Sequence, residues 1–396
     1  MFAVLGLVVE ISGHLAPLAF VISGALTFLT GVSYSGLYRE YKVPGGEVAF
    51  VEEATGSKRI AGHLGWALVL GYIFTNGLYA FTFGHYLANV FGAPSWLSPV
   101  AALSITAAIL AVNLVGVGSS GKTELVTVWG KILILGGLAA VGIWQFQPEK
   151  LQPLVEKGAF SPLIAAAVIF ISFEGYQLLA YDVDDMEEPE KNLPRSVLPA
   201  IATATLIYVA VALAALLLVS DKTLVEQREV ALATVGRAAL GSFGLWAVTV
   251  AALFSTASAI NATLFGTARL AVRLAHEGQM PAFFRETGGT PRRALTVIAV
   301  VGGAFAMLGS IEQIVTFASL TFLAVFATVN FLWGREAGKG YQKALAYAGF
   351  AGLALAFVTV VIWLSQNRPS GLLIAAGMVG ALALGRWWFV RRASGE

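Results

Sequence analysis

Long stretches without a charge constrain this chain more than any other feature. Eleven apolar runs fall at 15–38, 64–91, 96–117, 125–146, 162–181, 196–220, 243–267, 294–311, 314–334, 344–366 and 371–385, with a shorter one at 2–9. About 20 apolar residues carry a helix across roughly 30 Å of hydrocarbon. Backbone N–H and C=O groups meet no water there, so a spanning segment is either a helix or a strand of a closed barrel. Barrel strands are short and alternate in polarity, whereas these runs are long and continuous. The expected fold is an all-α polytopic membrane protein. Composition agrees: 12% of residues are charged, against about 25% in soluble domains. A net charge of +2 offers no basic face for nucleic acid. The chain has no cysteine, which excludes disulfides, iron–sulfur clusters and thiol catalysis. Its four histidines are dispersed in sequence, with no zinc-ligand spacing, and no metal is expected.

The loops set the orientation. With the loop after Tyr38 in the cytoplasm and the runs alternating from there, eighteen of the 25 Lys and Arg face inward, six face outward, and Lys131 lies within a run. That bias is the positive-inside pattern of a cell-membrane protein with a cytoplasmic C-terminus. At the N-terminus the first Lys or Arg is Arg39, and Glu10 interrupts the apolar stretch. A secretory signal would carry a basic region ahead of that stretch, so none is expected, and the apolar start reads as the middle of a helix. Segment 39–63 contains Pro44-Gly45-Gly46 and then mixed charges suited to the membrane surface. Segment 182–195 carries six acids, including Asp182, Asp184 and Asp185, and reads as a solvated loop; Pro194 suits the first turn of the next helix.

Two charges lie inside the runs, Lys131 and Glu174. Lys131 stands nine residues beyond Lys122, about 14 Å along a helix and near half depth. Such a charge costs at least about 2.5 kcal/mol, and intramembrane ionisable groups are functional by default. A lysine there can load and release a proton; the plainer alternative is a structural pair. Glu174 stands eight residues before Asp182, at similar depth, flanked by Ser172 and Gly175. A polar, glycine-containing interruption marks a discontinuous helix, tolerated only where it lines a cavity or is buried in protein. The alternative is a continuous helix with Glu174 bonded to a neighbour. Ser255, Ser258 and Asn261, and separately Tyr72 and Asn76, are candidate pocket residues that could equally serve helix packing.

The residues at this point resemble the amino acid–polyamine–organocation transporter superfamily. Phe170-Ile171-Ser172-Phe173-Glu174-Gly175, followed by Asp184-Asp185, Pro189 and Asn192-Leu193-Pro194-Arg195, is similar to its sixth helix and the following loop. Ser258 through Asn261 to Arg269, ending His276-Glu277-Gly278 and Pro281, is similar to the eighth helix. Tyr34 with Tyr41-Lys42-Val43-Pro44-Gly45-Gly46 resembles the end of the second helix, and segment 113–122 resembles the fourth-to-fifth connection. The resemblance implies a LeuT-like fold in one transmembrane domain over 1–396. Helices 1–5 (about 1–147) form an inverted repeat with helices 6–10 (about 158–334), and two C-terminal helices follow (about 343–390). It implies a substrate site at broken helices 1 and 6, here Phe170, Ile171, Ser172, Phe173, Glu174 and Gly175. Ile171 stands where many relatives carry an aromatic gate. Lys131 falls where proton-coupled members carry a fifth-helix lysine, which favours a proton over sodium as coupling ion. The family's glycine-rich first-helix motif would lie before Met1, so the start is expected inside that helix. The expected function is uptake of an amino acid or related amine by alternating access, without a cofactor. An exchanger or a transport-silent sensor is the alternative. An intramembrane enzyme lacks a nucleophile–base or metal constellation.

Overall fold

The computed structural model describes residues 1–115, 121–181, 183 and 186–393, and side chains within them except those of 121–127, 148, 308 and 390–393. The segment 116–120 and the acids Asp182, Asp184 and Asp185 lie outside the described residues, as do the side chains of Lys122, Arg391 and Arg392. Every regular element among the described residues is helical. In chain order these are α1 (Leu5–Ser12), α2 (Ala16–Tyr41), α3 (Gly46–Thr55), α4 (Lys58–Val90), α5 (Leu97–Val115), α6 (Gly121–Trp144) and α7 (Ser161–Val168). There follow α8 (Pro189–Leu218), α9 (Asp221–Glu226), α10 (Ala231–His276), α11 (Arg292–Leu308), α12 (Ile311–Glu336), α13 (Gly340–Asn367) and α14 (Pro369–Ala393). Among the described residues, eight helices are long and apolar enough to cross a membrane, counting α1 and α2 as one. The remaining apolar runs give the short α11, the broken span that begins with α7, and α6.

Local chemistry explains the boundaries. Ser57 caps α4 by accepting from the Ile60 N–H, and Ser310 with Gln313 forms a reciprocal capping box at α12. Helix α8 corrects one expectation. It begins at Pro189, so Pro194 sits inside it rather than in its first turn. A proline cannot donate to the carbonyl four residues back; here that carbonyl, on Glu190, accepts from Arg39 Nε at 3.1 Å. The segment expected at the membrane surface is partly buried in the protein. It forms α3, which buries Glu47, Val48, Phe50 and Val51, packs on α2, α4 and α12, and sets Phe50 edge-on to Tyr34. Helix α10 is far longer than its apolar run. Leu240 and Gly241 break it, with Gly241 at φ +61°. At this kink Gly236 and Gly244 approach so closely that a Cβ on either would meet the other's backbone.

The central helix is α4, in contact with α5, α10, α11 and α12. Helix α2 packs on α7, α8, α12 and α13. An Asn330–Ser33–Thr30 cluster binds α12 to α2 (Ser33 Oγ to Asn330 Oδ1 2.9 Å, Asn330 Nδ2 to Thr30 Oγ1 2.9 Å). Helix α14 lies at the margin, touching α13 and α4 along part of its length.

Candidate functional site

The span that begins with α7 comes apart within its apolar run. After α7, residues Phe170–Phe173 wind as one 3-10 turn and Tyr176–Ala180 as another. Between them Glu174 is extended (ψ 150°) and Gly175 takes φ +124°, a backbone conformation that glycine alone adopts readily. This is the discontinuity that the Ser172–Glu174–Gly175 pattern predicts. Unwinding frees backbone groups that must find partners in a dry interior, and side chains supply them. Ser319 of α12 serves both sides of the junction, donating to Val168 O at 2.6 Å and accepting from Ile171 N at 3.0 Å. Gln177 Oε1 accepts from Gly175 N at 2.9 Å, and the Tyr208 hydroxyl of α8 donates to Ser172 O at 3.3 Å.

A cavity of about 640 Å³ opens against this break. Its walls come from Met1–Val4, from Leu78, Tyr79 and Thr82 of α4, and from Trp129, Lys131 and Leu135 of α6. Ile171, Ser172 and Glu174 of the break, Thr203 and Tyr208 of α8, and Ser255 and Thr256 of α10 complete it. Glu174 is held from two sides. The Tyr79 hydroxyl donates to Oε2 at 3.3 Å and Gln177 Nε2 to Oε1 at 3.0 Å. Gln177 also reaches the Tyr72 hydroxyl at 3.2 Å. The Ser172 Oγ is buried on the cavity wall without a hydrogen-bond partner. A buried hydroxyl left unpaired is costly, so this one is a natural contact for a polar ligand. Six segments remote in sequence thus surround one concave, mostly apolar space with a few polar groups, the usual form of a small-molecule site.

The structure brings together Lys131, Ile171, Ser172, Glu174 and Ser255 at this cavity. It places the other candidates elsewhere. Phe170 packs edge-on against Phe326, and Phe173 against Tyr208, both in the core. Gly175 contributes backbone only. Tyr72 and Asn76 sit behind the cavity wall, with Asn76 Nδ2 donating to Tyr72 O at 3.0 Å. Asn261, six residues from Ser255, is turned about 120° away on a helix; its Oδ1 accepts from Asn113 Nδ2 at 2.7 Å, so it pairs helices. Ser258 likewise is not among the cavity residues. Tyr79, Thr82, Thr203, Tyr208 and Thr256 line the cavity without having been singled out. Tyr79 was in reach, because it follows Tyr72 by seven residues and shares its face. Tyr208 was not, because its run holds neither a charge nor a glycine to mark a site. The dispersed histidines also have one exception: His14, Glu156 and Asp221 each bring a ligand atom within 4.8 Å of the others. His14 Nδ1 already lies 3.0 Å from Pro153 O.

Comparison with known proteins fits this geometry. The family model for amino acid permeases matches residues 1–367. An uncharacterized protein of Methanocaldococcus jannaschii is 30% identical over 333 residues, covering 83% of this chain and 77% of its own. The serine/threonine exchanger SteT of Bacillus subtilis is 25% identical over 403 residues, covering 95% of this chain and 89% of its own. Among solved structures, a crystal structure of a mutant manganese transporter of Eremococcus coleocola superposes with a TM-score of 0.64 at 12% identity. It covers 98% of this chain and 89% of that one, which shows a common fold. The chain belongs to the amino acid permease family, a family of membrane transporters.

Proposed function

We propose that the chain is a secondary active transporter that carries an amino acid or related amine across the cell membrane together with a proton. One observation carries the reading. The two charges that the sequence puts inside apolar runs, Lys131 and Glu174, reach the same cavity from different helices, at the point where a span is unwound. A transporter needs a polar site near mid-depth and a group there whose charge biases one of two conformations. In this reading the substrate's polar ends engage the unwound backbone around Ile171–Gly175, the Ser172 hydroxyl and Glu174. Phe2, Trp129, Ile171 and Tyr208 contact its apolar part. Lys131 takes up and releases the coupling proton. The two halves that rock about the site are 1–147 and 158–334, with the Lys- and Arg-rich loops and the C-terminus in the cytoplasm. No chemical step is involved, and no cofactor is required.

The test is uptake of labelled amino acids into proteoliposomes. An inward proton gradient is expected to drive accumulation, and Lys131→Ala to abolish that accumulation while leaving exchange across the membrane. Transport driven by sodium alone and indifferent to Lys131→Ala would overturn the coupling assignment. Obligate exchange is the second reading, favoured by the exchanger named among the relatives. It predicts uptake only into vesicles preloaded with substrate.

A further inference from the structure

A second cavity lies away from the break. It measures about 810 Å³ and runs between α4, α12, α13 and α14 on the outer flank of the bundle. Its walls are almost wholly apolar, with Phe74, Phe317 and Phe357 among them. Two of its polar side chains, Thr321 and Thr328, are satisfied within their own helix by Phe317 O and Ala324 O. The chemistry therefore gathers at one end, around Arg386 and His63.

Arg386 is 2% exposed. Its Nε donates to His63 Nδ1 at 3.0 Å and its Nη1 to Gln279 O at 3.1 Å. Its Nη2 donates to Arg59 O and to Gln279 Oε1, both at 2.8 Å. All four acceptors are neutral. No carboxylate lies within 4.0 Å of this guanidinium among the described residues. A guanidinium has five N–H donors, and these bonds account for four. Arg59 adds a second cation at the same end. Buried cations are normally matched by an anion. This one is positioned and held, yet among the described residues it has no carboxylate partner, and it stands beside a long apolar slot next to α14.

We infer that this groove is a binding site for one anionic phospholipid, with an acyl chain along the α12–α14 slot and the headgroup phosphate at Arg386, Arg59 and His63. Charge complementarity selects the occupant: a zwitterionic headgroup brings its own cation to a site that already holds Arg386 and Arg59, whereas an anionic headgroup leaves net negative charge to match them. Basic clusters at the ends of membrane helices recognise such headgroups. The three residues come from the start of α4 and the end of α14, which the loop charges assign to the cytoplasmic face. The site is separate from the transport cavity, which shares no lining residue with it.

Native mass spectrometry of the whole chain in detergent tests this, with phosphatidylglycerol and phosphatidylcholine of identical chains as probes. Phosphatidylglycerol is expected to remain bound at about tenfold lower concentration or less, as one adduct per monomer. Arg386→Gln should erase that preference and Arg386→Lys should retain part of it. Because Arg386 also ties α14 to α4, a second variant guards against misfolding. Ala376→Trp fills the slot from an exposed position on α14, leaves the basic cluster intact, and should reduce retention to the same degree. Equal retention of the two lipids, unchanged preference in Arg386→Gln, or unchanged retention in Ala376→Trp would overturn the assignment. A dimer that excludes lipid from the groove would do so as well.

Discussion

Substituting Gly175 isolates the role of the break. The residue holds φ +124° and ψ −32°, and a Cβ built on it meets nothing within 4 Å. Gly175→Ala therefore adds no collision, and its whole effect is conformational. A non-glycine residue held in such a region costs about 1–3 kcal/mol. At about 1.4 kcal/mol per factor of ten, that penalises the unwound state about 5- to 150-fold. The chain can avoid the strain by rewinding toward a helix, which would pull Glu174 away from Tyr79 and Gln177. Both routes disfavour the cavity as described. Initial rates of labelled amino acid uptake in proteoliposomes should show a half-saturation constant raised within that range. Gly241→Ala is the matched control. It also places alanine at a positive φ, +61°, with nothing within 4 Å, but at the kink of α10 rather than at the cavity. It should lower thermal stability while leaving the half-saturation constant near wild type. Normal uptake by Gly175→Ala, or equal losses of affinity in the two variants, would refute the argument.

Three further outcomes follow from particular contacts. Ser319→Ala leaves Val168 O and Ile171 N–H without their bonds; two buried orphans should cost about 2–4 kcal/mol, read as a lower melting temperature and weaker substrate binding. Tyr79→Phe removes a 3.3 Å donor to Glu174, at the weak end of charge-assisted bonds, so a loss of about 1.5 kcal/mol and a roughly tenfold rise in half-saturation are expected; an unchanged value would reduce Tyr79 to a lining residue. In α3, burial pushes the Glu47 carboxyl above the ordinary carboxylate range. The folded chain then keeps that proton to higher pH than the unfolded chain does, so its stabilising contribution is complete at acid pH and is lost as pH rises through the raised value. Thermal unfolding should show declining stability in that window, and Glu47→Gln should flatten the decline.

Much of the fold is legible in the residues, because hydrophobic length is a strong signal in a solvent that forbids unpaired backbone. The break at Glu174 and Gly175 is legible for the same reason: a carboxylate and a glycine at half depth have little structural excuse. Lys131 follows from the identical argument. What escapes reading is set by partners distant in sequence. Whether Asn261 serves the pocket or helix packing is open until Asn113 is seen to take its bond. Segment 46–55, part of the stretch read as suited to the membrane surface, gives no local sign of its packing: Tyr181 donates to Glu47 at 2.8 Å and Phe50 meets Tyr34, both from elsewhere in the chain. Pro194 reads as a helix start because nothing local shows that Arg39 will accommodate the carbonyl it strands. The kink of α10 depends on two glycines, Gly236 and Gly244, touching across a turn that no periodicity marks.

The central claim is that the cavity beside the break receives the transported amino acid. The chain contains no cysteine, so a single introduced thiol reports on one place. Ser255→Cys puts a thiol on the cavity wall and Ala376→Cys puts one in the remote groove. The rate of modification by a small methanethiosulfonate reagent is then measured with and without a saturating amount of the transported amino acid. The account predicts that the amino acid slows modification at position 255 severalfold and leaves position 376 unaffected. An unchanged rate at position 255 under saturating substrate would contradict it.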